Sequence, residues 1–301
     1  MTATLLLMGH GSQDPEGAGE FFRLVDAVRE ALPGRLVTAG VLEFPGPEAP
    51  SIREAFDRCA ATDVHAVRAV PVLLSRAVHA KQDMPLQVAE ARARHPELEI
   101  TLCPPLGIDP LLLEIVEERI SELSEGLDGF DPRETAVLLV ARGATDAEAN
   151  ADMFKVARLL WERNAFPWVE PCFVSLAHPF VPEGIQRCVA LGAKTVLVLP
   201  YFINTGKLVH RIGLQAAATR RDLPASRIAV GTHLGVHPKL VRMIVERAGA
   251  RRPGGACLNT LGRSAAACRH PLPTLSHQGR GDDQASSPLV GAVLSPPKGE
   301  D

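Results

Sequence analysis

Three residues suited to metal and proton chemistry lie just past apolar runs of strand length. His10 sits in Gly9-His10-Gly11-Ser12 directly after Leu5-Leu6-Leu7-Met8. Glu43 follows Leu36–Leu42. His79 lies five residues beyond Leu74, where the run Ala66–Leu74 ends. Two imidazoles and a carboxylate suit a divalent first-row ion such as Co²⁺, Fe²⁺ or Ni²⁺. The lack of a thiolate in the set argues against a closed structural zinc site. The same pattern also fits two unconnected turn histidines and a surface carboxylate. What favours a shared site is placement. In an open parallel sheet all strand carboxyl ends face one side, neighbouring strands lie ~4.8 Å apart, and ligands bind at that edge. The glycines flanking His10 have no Cβ, so a ligand can approach the backbone closely.

The elements that must position these residues follow from periodicity. Leu5–Met8 is a continuous apolar run, as in a strand buried on both faces. After Asp14-Pro15 comes a helical pattern in Phe21, Phe22, Leu24, Val25 and Val28. Leu36–Leu42 is a second strand. Pro45, Gly46, Pro47 and Pro50 then form a rigid turn, and Ser51 with Glu54 predicts a capping box at the head of a helix to Ala61. Ala66–Leu74 is a third strand, followed by a helix from about Asp83 to His95. Glu99–Cys103 is a fourth strand, with a helix from Leu111 to about Ser124. Strands alternating with helices at this spacing give βαβ units and a parallel sheet.

The pattern then restarts. A polar stretch at 126–134 reads as a linker. Thr135–Asp146 repeats the opening run with Arg142 in place of His10, Pro200 matches Pro71, and Leu234-Gly235 matches Leu106-Gly107, each landmark recurring about 130 residues later. The chain is therefore read as a duplicated α/β protein: two domains, 1–125 and 135–250, each a four-stranded parallel sheet flanked by helices, facing a central cleft. In the second copy Arg142, Ser175 and Leu208 replace His10, Glu43 and His79. One site is therefore expected, on the first copy. Arg142 is either a contact for a substrate carboxylate or a structural turn residue. His65, His95 and His233 read as helix-end or loop residues, His237 as a turn residue and His210 as solvent-facing.

Composition narrows the class. The 301 residues carry a net charge of −3 with no basic stripe, which gives no footing for nucleic acid. Hydrophobic residues make up 46% and aromatics only 4%, so Ala, Val, Leu and Ile must build the core. No cationic segment precedes the short first apolar run and no run reaches membrane-spanning length, so a cytoplasmic protein is expected. Its six cysteines are scattered, as reduced thiols would be. From about Arg251 the chain is rich in Gly, Pro, Ser, Arg and His without periodicity, and 251–301 is expected to be a disordered tail. Within it, His270–Gly281 reads like a translated intergenic repeat, and Cys268, His270 and His277 fit no metal-ligand spacing.

Four ordered motifs carry a family resemblance. They are Leu6-Leu7-Met8-Gly9-His10-Gly11-Ser12, Leu42-Glu43-Phe44 with Pro50-Ser51-Ile52, Val70–Leu74 running on to His79-Ala80-Lys81-Gln82-Asp83-Met84-Pro85, and Pro105–Pro110. Together they resemble the sirohydrochlorin chelatases, class II chelatases, and most of all their long two-domain cobaltochelatase form, over about residues 1–248. The resemblance implies ATP-independent insertion of a divalent metal into a tetrapyrrole on the way to cobalamin or siroheme, a lyase activity. His10 would then be metal ligand and proton acceptor, and His79 would complete the metal site. Glu43 would contact substrate, and Leu74, Ser75, Arg76, Ala77 and Val78 would lie against the macrocycle. The ring loses two pyrrolic protons as the metal enters, and an imidazole is the side chain poised to take protons near neutral pH. Residues 45–49 look like an insertion, which leaves Glu48 open as the substrate contact instead of Glu43. The Cys-x-x-Cys of some long members is missing, so no iron–sulfur cluster and no organic cofactor are expected. The fused halves resemble a dimer of the short form made covalent, so a monomer is expected. A non-catalytic tetrapyrrole or metal carrier, and a two-lobed binding protein, are the competing classes.

Overall fold

A computed structural model describes residues 3–75 and 79–249; the expected tail 251–301 lies outside the described residues. The first half runs β1 (Thr4–Gly9), α1 (Pro15–Ala31), β2 (Val37–Val41), α2 (Ile52–Ala60), β3 (Ala66–Pro71), α3 (Met84–Arg94), β4 (Glu99–Leu102) and α4 (Pro110–Glu125). The second half repeats it as β5 (Thr135–Ala141), α5 (Ala147–Arg163), β6 (Trp168–Phe173), α6 (Val181–Ala190), β7 (Thr195–Pro200), α7 (Lys207–Asp222), β8 (Arg227–Val230) and α8 (Pro238–Gly249). Each half holds one wholly parallel four-stranded sheet, in the orders β2-β1-β3-β4 and β6-β5-β7-β8. The strand order reverses beside β1 and β5, so both halves place their switch point at the end of their first strand.

Local chemistry sets these elements. Leu5, Leu6, Leu7 and Met8 are all fully buried, as a central parallel strand requires. Asp14 caps α1, accepting from the Glu16 N–H at 3.0 Å, with Pro15 in the first turn. Ser51 and Glu54 form the expected capping box on α2. β3 is shorter than the apolar run suggested. It ends at Pro71, near the end of its partner β1 at Gly9: the Val72 N–H still donates to the Met8 carbonyl at 2.9 Å, but the Leu73 carbonyl already accepts from the loop residue Leu106 instead, at 3.0 Å. A π-helical turn, His79–Asp83, precedes α3.

The halves are interlocked by an exchange of last helices. α8, from the second half, packs on α1 and β3 of the first; α4, from the first half, packs on α5 and β7 of the second. Two arginines at equivalent places secure the exchange. Arg119 on α4 donates to the carbonyls of His233 and Leu234, at 3.0 and 2.7 Å, and Arg247 on α8 donates to the carbonyl of Leu106. One continuous apolar layer, from Leu5 through Leu113 and Leu160 to Ile244, therefore lies between the two sheets. Separate apolar layers sit under α2 and α3 and under α6 and α7.

Candidate functional site

The carboxyl ends of both sheets border a cleft of about 770 Å³. His10 and Glu43 meet on its first-half wall. The Glu43 N–H donates to the His10 carbonyl at 2.8 Å, which extends the β1–β2 ladder past the strand ends. The link is possible only because Gly11 has φ +95°: a Cβ there would stand 1.9 Å from the Glu43 carbonyl oxygen. It brings the side chains together, with His10 Nδ1 3.9 Å from Glu43 Oε2 and 3.2 Å from the Gly11 carbonyl. Two acceptors near Nδ1 favour a proton there and leave the lone pair at Nε2, the arrangement needed to bind a cation or take a proton. Both side chains are partly exposed, at 29% and 39%.

The other sequence candidates distribute as follows. Leu74 and Ser75 line the same cleft. Arg76, Ala77 and Val78 lie outside the described residues. His79 opens the π-helical turn, and its neighbour Ala80 lines the cleft. Glu48 is exposed and does not line the cleft, whereas Glu43 does. Among the described residues no group of three His, Cys, Asp or Glu side chains clusters as a metal cage. His95 hydrogen-bonds Asp57 at 2.7 Å and His237 pairs with Glu118 at 2.9 Å, so both are structural. His233 is more than a loop residue: with its side chain 16% exposed, it joins the halves by binding Glu20 of α1 at 2.9 Å.

The second half reproduces the scaffold with different side chains. The Ser175 N–H donates to the Arg142 carbonyl at 3.1 Å, and Gly143, at φ +84°, would place a Cβ 2.1 Å from the Ser175 carbonyl oxygen. Arg142 thus stands where His10 stands, and Ser175 where Glu43 stands. The loop after β2 is longer than its counterpart, since Val41 bonds back to Pro50 whereas Phe173 bonds back to Pro179. That agrees with an insertion at 45–49.

Sequence periodicity did not reveal the apolar lining. Phe21 and Phe22, read as helix core, both border the cleft in an edge-on pair with centroids 5.3 Å apart. Phe21 comes up under the strand end because Gly9 leaves the space: a Cβ there would lie 2.6 Å from the ring. Phe44 and Leu176 take equivalent places on the two rims, 46% and 54% exposed, each at positive φ (54° and 61°). Left-handed backbone at a large non-glycine residue is costly and tends to occur where function needs it. A broad apolar slot with a histidine and a carboxylate on one wall suits a large flat ligand carrying a polar centre. Lys81, in the π-helical turn, reaches across to the second half and bonds Asp146 and Glu148 at 2.7 Å each. Those carboxylates hold its ammonium above the ordinary lysine range, and Lys81 holds the Asp146 carboxyl below the usual one.

The comparisons with known proteins agree with this architecture. The CbiX family model matches residues 4–123 and again 136–250, once per half. The sirohydrochlorin cobaltochelatase of Priestia megaterium is 35% identical over 246 residues, 81% of this chain and 78% of that protein. The sirohydrochlorin ferrochelatase of the same organism is 30% identical over 240 residues, 80% of this chain and 87% of that one. The crystal structure of the sirohydrochlorin chelatase SirB from Bacillus subtilis subspecies spizizenii in complex with cobalt shares the fold, with a TM-score of 0.68 at 24% identity over 82% of this chain and 94% of that chain. No helix among the described residues is long and apolar enough to cross a membrane. The chain, matched by the family model in both of its halves, belongs to the CbiX family.

Proposed function

We propose that this protein is a sirohydrochlorin chelatase that inserts a divalent metal, Co²⁺ first and Fe²⁺ or Ni²⁺ second, into the macrocycle without ATP, as a cytoplasmic lyase. The observation that carries the reading is the His10–Glu43 pair on the wall of an apolar cleft in a chain of this family. In this reading 1–125 carries the site, 126–134 links the copies, and 135–250 forms the far wall. The macrocycle enters the slot and is held by Glu43 and by 74–78. His10 and His79 hold the incoming ion through neutral imidazoles, few and exchangeable, so that the ion can pass on to the ring nitrogens. Once the ion has passed to the ring, His10 Nε2 takes one of the two displaced pyrrolic protons and releases it to water, which also receives the other, and Glu43 beside Nδ1 stabilises the imidazolium that forms. Cobalt comes first because the cobaltochelatase relative is the more similar of the two named above. The test is anaerobic incubation of the protein with sirohydrochlorin and each metal in turn, following the macrocycle's absorbance against an enzyme-free control. Faster insertion with a metal preference supports the reading. Tight macrocycle binding without acceleration makes the protein a carrier instead.

A further inference from the structure

The second copy of the fold has lost the acid–base and ligand groups, but its loop after β5 carries a side-chain clamp of its own. Asn150, in the first turn of α5, accepts from the Ala144 N–H at 2.9 Å and donates to the Ala144 carbonyl at 2.8 Å. The equivalent position in α1 is Ala18, which has no side-chain amide to do this. The pinned loop carries Arg142, which is exposed, lines the cleft, and has no carboxylate partner among the described residues. Lys207, at the start of α7 on the same wall, hydrogen-bonds the neutral side chain of Gln13, at 3.4 Å, and has no carboxylate partner among the described residues. Lys81, by contrast, is already neutralised by Asp146 and Glu148. The wall's acidic residue is Asp152, half-buried within α5. The first-half wall carries Glu43 and the capping carboxylate Asp14. Two cations with no acid against them thus stand opposite the His10 wall, one on a loop held by a dedicated clamp.

From this we infer that Arg142, with Lys207 lining the same cleft, is a carboxylate-binding subsite that orients the macrocycle's acidic side chains, so that the degenerate half serves as the specificity wall. The inference rests on the proposed function, since sirohydrochlorin is a ring with many peripheral carboxylates. A guanidinium presents a planar fork to a carboxylate and binds it with two parallel hydrogen bonds. Pinning the loop removes ordering cost at binding. Arg142 acts here as a binding residue and takes no part in proton transfer.

The test titrates metal-free sirohydrochlorin, and a peripherally amidated form of the same ring, into wild-type protein, Arg142→Gln and Lys207→Gln. Thermal melts confirm that each variant is folded. The wild type should prefer the acid form. Arg142→Gln should weaken binding of the acid by about tenfold or more, the loss expected for one charge-assisted pair. It should leave the amidated ring's affinity nearly unchanged and, in metal insertion, raise KM much more than it lowers kcat. Lys207→Gln should weaken acid binding less. Wild-type affinity for the acid form in Arg142→Gln, or an equal loss for both rings, overturns the subsite. A wild type that binds neither ring overturns the proposed function itself and the subsite with it, a result distinct from loss in the variant alone.

Discussion

Gly11 and Gly143 are a matched pair whose substitution separates scaffold from chemistry. Each sits at positive φ, +95° and +84°, and a Cβ would fall 1.9 Å from the Glu43 carbonyl oxygen in one and 2.1 Å from that of Ser175 in the other. Left-handed backbone costs a residue with a Cβ about 1–2 kcal/mol. To relieve the contact the neighbouring loop must retreat by roughly 1 Å or more, which weakens the backbone bond between the two loops, worth about 1 kcal/mol. The sum is roughly 2–3 kcal/mol for either Gly→Ala change, or about 5–10 °C in melting temperature for a unit of this size. The costs to activity should differ. Gly11→Ala displaces Glu43 relative to His10, and a misplacement of about 1 Å can cost ~100-fold in kcat. Gly143→Ala disturbs only the wall around Arg142 and should act mainly on KM. The assay is steady-state metal insertion beside differential scanning calorimetry. Equal kcat losses in the two variants, at equal loss of stability, would refute the assignment of the chemistry to the first half.

Three further outcomes follow from the packing and the charges. Residues 1–125 expressed alone should not give a folded monomer. α4 would leave Leu112, Leu113, Ile115, Val116 and Ile120 without the second half they pack on, at roughly 1.5–3 kcal/mol per exposed side chain. Analytical ultracentrifugation should find a dimer or aggregate, and a stable monomer would contradict the exchange. Lys81→Met should leave the melting temperature nearly unchanged, since exposed ion pairs contribute little. The pair's pH dependence has a definite sign: the Asp146 carboxyl is held low, so its contribution is present above the ordinary carboxylate range and fades only as pH falls through the depressed value. Any titration of activity near neutrality should therefore persist in Lys81→Met, and its disappearance would assign that titration to the bridge. Truncation after Gly249 should leave metal insertion intact, as the composition of the remaining segment implies. A large loss would give that segment a role.

Much of this arrangement was readable from residue order alone, for physical reasons. Leu5–Met8 is buried on both faces, and only a covered parallel sheet calls for such a run. His10 and Glu43 stand at strand ends, which parallel topology gathers on one side. Arg142 falls in the register of His10 and Ser175 in that of Glu43, which is how the repeat could be read although the side chains differ. What stayed hidden depends on partners far along the chain. Periodicity marks which face of α4 and α8 is apolar without saying whose sheet it covers, so the helix exchange was invisible. Leu73 and Leu74 read as strand, although the ladder with β1 ends at the Val72 N–H on the Met8 carbonyl. Phe21 is core as its spacing implies, at 4% exposed, but periodicity does not show that it and the partly buried Phe22 also border the slot. The roles of Lys81 and Asn150 carried no sequence signal, since each acts through contacts made only in the folded chain, Lys81 with Asp146 and Glu148 and Asn150 with the Ala144 backbone.

The most direct test of the central claim is the rate of metal insertion in His10→Ala beside wild type, at saturating sirohydrochlorin and Co²⁺ under anaerobic conditions, with macrocycle binding measured on the same samples. The wild type should clearly accelerate insertion, whereas the variant should still bind the ring but insert metal no faster than the enzyme-free control. A His10→Ala protein that works at the wild-type rate would contradict that claim.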